Sequence, residues 1–219
     1  MTAASSFGTT VRNGAETYGI TLGDEAITRL ENYFEILTAY NLRTNLVSKG
    51  DMERFAEYHI LDSLKIASCI DLSGVRRAMD FGSGAGLPGI PLAVVFPGME
   101  MYCVDSRTKR CAFLSAAVSD IPLQNVRVLR SRAESLPADY NRFFNCIVTR
   151  ATVSLESFFR IAWRFSAPHG ILVAIKGDDI GDEIQSLKNA ADLSLFNIEI
   201  SRPAPVENVR TGHIVTISA

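Results

Sequence analysis

One stretch constrains this chain more than any other: Asp80-Phe-Gly-Ser-Gly-Ala-Gly-Leu-Pro-Gly-Ile-Pro, residues 80 to 91. A short strand-like run from Val75 precedes it. The apolar segment from Leu87 to Phe96 follows and reads as a buried helix, with Pro88 early, where a first helical turn tolerates proline. Strand, glycine turn and helix start make a ligand cradle. Glycines let the backbone approach a ligand with no Cβ in the way, and the helix N-terminus adds unpaired N–H donors.

The motif admits two spellings. Gly84, Gly86 and Gly89 form G-x-G-x-x-G, the dinucleotide fingerprint, with Asp105 about 20 residues on, where a ribose-binding acid belongs. Asp80, Gly82, Gly84 and Gly86 equally form D-x-G-x-G-x-G. That version suits S-adenosylmethionine, which has no pyrophosphate and carries an ammonium for the Asp80 carboxylate to meet.

At 219 residues and 47% apolar composition, the chain can bury a sizeable core and form one domain with an appendage. A net charge of −2 gives no global polyanion-binding signature. The four cysteines include no C-x-x-C pair and read as reduced thiols, and three histidines without a ligand cluster argue against a metal. No apolar leader or membrane span is visible, so a cytoplasmic, monomeric protein is expected.

Residues 1–23 are expected to be disordered or loosely ordered, 24–73 a helical extension, and 74–219 the main domain. Asp24 is read as capping a helix with Ile27, Leu30, Phe34 and Leu37 on one side. Asp51 is read as opening a second helix that runs on through Phe55, Ile60, Leu64 and Ala67. From Val75 the pattern alternates. Strands are expected near 76–81, 99–105, 126–130, 143–149 and 170–176. Helices are expected near 87–96, 107–118, 154–165 and 180–191. Two last strands, near 194–201 and 213–218, should pair antiparallel. The fold class is therefore α/β, a mostly parallel seven-stranded sheet closed by an antiparallel hairpin. This Rossmann-like arrangement is that of S-adenosylmethionine-dependent methyltransferases, here with the helical extension as a lid.

Several motifs then occur together: Asn45-Leu-Val-Ser, His59-Ile-Leu-Asp-Ser-Leu64, the run from Asp80 to Leu92, Asp105-Ser-Arg-Thr-Lys-Arg110, Ser131-Arg-Ala-Glu134, Thr149-Arg-Ala151 and Ile175-Lys-Gly177. In order and spacing the chain resembles the bacterial glucose-inhibited division protein B family, small-subunit (16S) ribosomal RNA guanine-N7 methyltransferases, over roughly residues 24 to 217. It departs from the family in Ala85, where proline is usual, and in ending soon after Arg210.

The resemblance implies S-adenosylmethionine as cofactor and 16S ribosomal RNA or the small ribosomal subunit as partner. It implies that Gly82 and Leu87 line the methionine and ribose part of the cofactor, with Asp105 at the ribose hydroxyls and Ala133 and Glu134 beside the adenine. Arg150 matches a family arginine at the end of the fourth strand. A guanidinium cannot be a base, so Arg150 is expected to position the reactants, either donating to guanine O6 or a phosphate or binding the cofactor through its carboxylate. Guanine N7 already carries a lone pair, so attack on the sulfonium methyl removes no proton. Residues 149–152 correspondingly read Thr-Arg-Ala-Thr, without the Asn/Asp-Pro-Pro-aromatic run of exocyclic-amine methyltransferases.

For RNA the candidates are Asn45, Arg107, Lys109, Arg110, Arg132, Lys176 and Arg210. From Asp105 to Arg150 eight basic residues face four acidic ones, a local +4 in a chain of −2. Ordinary solvated charge accounts for such a segment equally well, and the resemblance favours an RNA face. His59 and Asp62, at i and i+3, read as a structural pair. The competing readings are a methyltransferase of the same fold with a small-molecule or protein acceptor, and a non-catalytic nucleotide-binding regulatory module.

Overall fold

The computed structural model describes residues 3–150, 153–190 and 195–219. Ala151 and Thr152, and residues 191–194 at the edges of an expected helix and strand, lie outside the described residues. Seven strands are found among them: β1 (Arg77–Phe81), β2 (Glu100–Asp105), β3 (Val126–Arg130), β4 (Phe144–Arg150), β5 (Ser166–Lys176), β6 (Asn197–Ser201) and β7 (His213–Ser218). They form one sheet in the order β3-β2-β1-β4-β5-β7-β6. β7 runs antiparallel to both β5 and β6, while the other pairs are parallel. The central strands are apolar without alternation because both faces are covered. One face carries α1 (Ala3–Thr17), α2 (Asp24–Thr44), α3 (Lys49–Glu53), α4 (Asp62–Leu64), α5 (Gly89–Val95) and α6 (Thr108–Asp120). The other carries α7 (Leu155–Ala162) and α8 (Gly181–Ala190).

β1 stands between β2 and β4. The chain moves outward to β3 on one side and then returns to add β4 on the other. The strand order reverses at that point, which leaves a crevice at the carboxyl ends of β1 and β4, where open α/β sheets hold ligands.

The helical region departs from the sequence reading in three places. Residues 3–17 form α1, where loose order was expected. Val11 and Ala15 are fully buried, and Phe7 stacks on Phe34 at 5.2 Å. A thin apolar stripe among small polar residues is what sequence composition conceals. Gly23, rather than Asp24, occupies the N-cap of α2, and Tyr33, rather than Phe34, is its fully buried aromatic.

The expected helix from Asp51 to Ala67 is broken. α3 is capped by Ser48, whose hydroxyl accepts from the Asp51 amide. A wide π turn over Ala56–Leu61 follows, then α4 and a 3₁₀ turn, Lys65–Ser68. Arg150 donates to the Tyr58 carbonyl at 3.2 Å, and a side chain inserted into a helical ladder is a known cause of such a break.

Candidate active site

β1 delivers the chain into the glycine turn, where Gly82, Gly84 and Gly86 all have positive φ (74°, 59° and 88°). These are the three glycines of the D-x-G-x-G-x-G spelling. The turn is fastened from below, since the amides of Gly82 and Ser83 both donate to the Val104 carbonyl at 3.0 Å. It is also fastened from the lid, because the buried Tyr33 hydroxyl donates to the Ala85 carbonyl at 2.5 Å. Gly89 serves close packing. A Cβ there would sit 2.7 Å from Asp80 Oδ2 and 3.0 Å from Cys103 Sγ.

Asp80 is fully buried beneath the turn, where one carboxylate oxygen accepts from the Gly89 amide at 2.9 Å. Its other oxygen has no hydrogen-bond partner among the described residues. Burial pushes the carboxyl up to about 7, against the pull of the Gly89 amide, Ser83 and the Arg150 charge.

Two cavities open on either side of the turn and share Gly82. The first encloses about 250 Å³ and is lined by Asp105, Arg107, Arg110, Arg132, Ala133 and Glu134 among others. Asp105 is buried at its floor. Oδ2 accepts from the Gly84 amide (3.0 Å) and Arg110 Nη1 (3.2 Å), and Oδ1 from the Arg107 amide (2.8 Å). Arg107 occupies the N-cap position of α6. Ala133 is buried and Glu134 exposed on a 3₁₀ turn whose carbonyls Arg164 holds. These residues fit an adenosine, with a carboxylate for vicinal hydroxyls and a loop edge for a base.

The second cavity, about 460 Å³, lies between the turn and the lid. Leu87, Arg150, Lys176 and Arg210 line it, as do His59 and Asp62, which the sequence reading treated as structural. Arg150 Nη1 donates to Asp62 Oδ2 at 3.1 Å as well as to the Tyr58 carbonyl, and Nη2 donates to His59 Nδ1 at 2.9 Å. Three of the five guanidinium N–H groups are thus committed to the lid. Asp62 also pairs with the buried Lys65 at 2.6 Å. Burial first, then the Arg150 and Arg210 charges, press the His59 imidazole down to about 3. Local spacing could hint at the His59–Asp62 pair, but not at a partner some 90 residues away.

The RNA candidates scatter. Arg210 pairs with Asp51 at 2.5 Å and lies over the Tyr58 ring. Asn45 caps α2 in the left-handed conformation. Lys109 is exposed, as are Arg107 and Arg132. Arg110 is drawn into the first cavity by Asp105. Lys176 is a further correction: it is buried, and its ammonium bonds Glu183 and the Val153 carbonyl, both at 2.7 Å, so it ties β5 to α8 rather than offering free charge. The segment read as one basic face is therefore divided, with Arg150 on the lid side of the turn. No helix among the described residues is long and apolar enough to cross a membrane.

Comparison with known proteins agrees with this fold. In solved structures the fold is similar to precorrin-6y C5,15-methyltransferase of Geobacter metallireducens, with a TM-score of 0.55 at 12% identity over 73% of this chain and 87% of that one. It is also similar to TYW2 of M. jannaschii in complex with AdoMet, with a TM-score of 0.53 at 15% identity over 78% and 76%. In sequence the chain is 34% identical over 187 residues to ribosomal RNA small subunit methyltransferase G of Hydrogenovibrio crunogenus, covering 85% of this chain and 84% of that protein. It is 35% identical over 201 residues to the protein of that name from Salmonella schwarzengrund, covering 92% and 93%. The rRNA small subunit methyltransferase G family matches residues 26–202. The chain belongs to that family, S-adenosylmethionine-dependent methyltransferases of small-subunit ribosomal RNA.

Proposed function

We propose that the chain places the methyl group of S-adenosylmethionine on N7 of a guanine in 16S ribosomal RNA, acting as a cytoplasmic monomer on the small subunit or its RNA. The cofactor supplies an electrophilic methyl on a sulfonium and departs as a neutral thioether. Asp105 holds the ribose hydroxyls, Ala133 and Glu134 border the adenine, and Gly82, Gly84, Gly86 and Leu87 support the methionine half. Arg150, fixed by three lid contacts, keeps the lid in register with the turn, so that donor and acceptor meet in line. Arg107, Lys109 and Arg132 meet phosphates beside the first cavity.

The acceptor-side chemistry carries the N7 reading. Among the described lining residues, no imidazole lone pair is free and both carboxylates are already ion-paired. His59 is neutral with its Nδ1 lone pair occupied by Arg150. Asp62 lies between Arg150 and Lys65, and Asp51 is paired with Arg210. A ring nitrogen that attacks with its own lone pair needs none of them as a base, whereas an exocyclic amine does. The test is calorimetry with S-adenosylhomocysteine and with NAD, followed by transfer of labelled methyl to small-subunit particles, to naked RNA and to protein. Uptake of S-adenosylhomocysteine and label in RNA are expected. NAD uptake without S-adenosylhomocysteine uptake, or label in protein alone, would contradict the reading.

A further inference from the structure

His59, which lines the second cavity from the lid side, carries a buried ring nitrogen that the network around it leaves unused. His59 is 4% exposed, and its Nε2 has no hydrogen-bond partner among the described residues. Arg150 can only donate, so the bond to Nδ1 makes that nitrogen the acceptor and puts the hydrogen on Nε2. The imidazole, packed on Phe55 at 5.1 Å, is thus a fixed donor. Beside it, 3.8 Å from Nε2, stands Asp51 Oδ2, an acceptor whose partner oxygen is held by Arg210. Both residues line the cavity that Gly82 and Leu87 reach from the other side. An unpaired buried donor costs free energy, so a ligand acceptor is the natural complement.

We infer that His59 Nε2–H and Asp51 Oδ2 read the acceptor base, the donor meeting guanine O6 and the acceptor meeting guanine N1–H. This rests on the guanine N7 reading above and adds the means by which the base is chosen. Guanine presents an acceptor at O6 and a donor at N1, the inverse of the fixed pair. Adenine presents a donor at N6 and an acceptor at N1, which opposes the pair at both positions. Recognition through this edge leaves N7 open to the methyl. Enzymes that act on an extruded base commonly read its Watson–Crick edge.

The experiment uses the full chain and small-subunit particles reconstituted on RNA carrying guanine, inosine or 2-aminopurine at the methylated position. Inosine keeps O6 and N1–H, and 2-aminopurine lacks both. Wild-type protein should methylate inosine about as fast as guanine and 2-aminopurine about 10- to 100-fold more slowly. Equal rates on guanine and 2-aminopurine would overturn the inference without any variant. In His59→Phe the preference for guanine over 2-aminopurine should collapse, and in His59→Gln, which restores a donor, it should return. Asp51→Asn, which can present a donor, should raise 2-aminopurine relative to guanine. A folded His59→Phe protein that binds S-adenosylhomocysteine and keeps the full preference would overturn it. Failure of wild-type protein to methylate any guanine N7 would instead remove the parent reading, and this shows before a base is exchanged.

Discussion

Arg150 joins three lid groups to a strand end, so its loss acts on geometry and stability together. Arg150→Ala should lower methyl transfer by about 100-fold, because small misplacements of reacting groups cost that much. It should also lower stability, since Asp62 keeps only Lys65 as counter-charge in a buried site. Turnover and thermal unfolding of the variant check both, and full activity would remove Arg150 from the site. Asp80 gives a pH signature. Its folded value of about 7 lies above the ordinary 3.8, so the folded state holds the proton more tightly. Its contribution is present below 3.8 and is lost as pH rises through about 7. His59 works in the opposite sense, its contribution being present above 6.5 and lost as pH falls toward about 3. Asp80→Asn should therefore gain on wild type in stability as pH rises from 3.8 to about 7, by about 1 kcal/mol per pH unit, and keep a constant lead above that. Parallel curves would contradict the buried carboxyl.

α1 shows how an element can be written in residues that look like a tail. Gly14 faces Leu61 so closely that a Cβ would lie 2.3 Å from Leu61 Cδ1. A glycine-to-alanine change inside a helix ordinarily gains about 1 kcal/mol. Here overpacking against a fully buried side chain costs about 1–3 kcal/mol and should win. Gly14→Ala is expected to unfold at lower denaturant than wild type, and a gain would mean that α1 does not dock as described. The alternation of strands and helices after Val75 was legible because each element is apolar and bounded by glycine, proline or polar turns. The π turn at Ala56–Leu61 was not. Within it the Tyr58 carbonyl accepts from Arg150, on a strand 92 residues later.

For the molecule as a whole, strand order decides what the turn can do. Reversal between β1 and β4 places the glycine turn at the crevice and the lid above it. The turn and Asp105 were legible because each stands at a strand end in sequence, whereas the Ala133–Glu134 loop rested on the family resemblance. Net charge along a segment was a poorer guide, because pairing in three dimensions decides which charges remain available. Lys109 is exposed, whereas Arg127 already pairs with Glu100 at 2.5 Å. Lys109→Gln should reduce the salt slope of RNA binding by about 0.7, the contribution of one phosphate contact to a single strand. Arg127→Gln should leave the slope unchanged, and titrations at several salt concentrations distinguish the two. The central claim is that the crevice delivers a methyl group to a ring nitrogen that needs no base. Its most direct test is mass spectrometry of nucleosides from small-subunit RNA incubated with the purified chain and S-adenosylmethionine. The account predicts 7-methylguanosine, and methyl found on an exocyclic amine, a base carbon or a ribose oxygen in its place would contradict it.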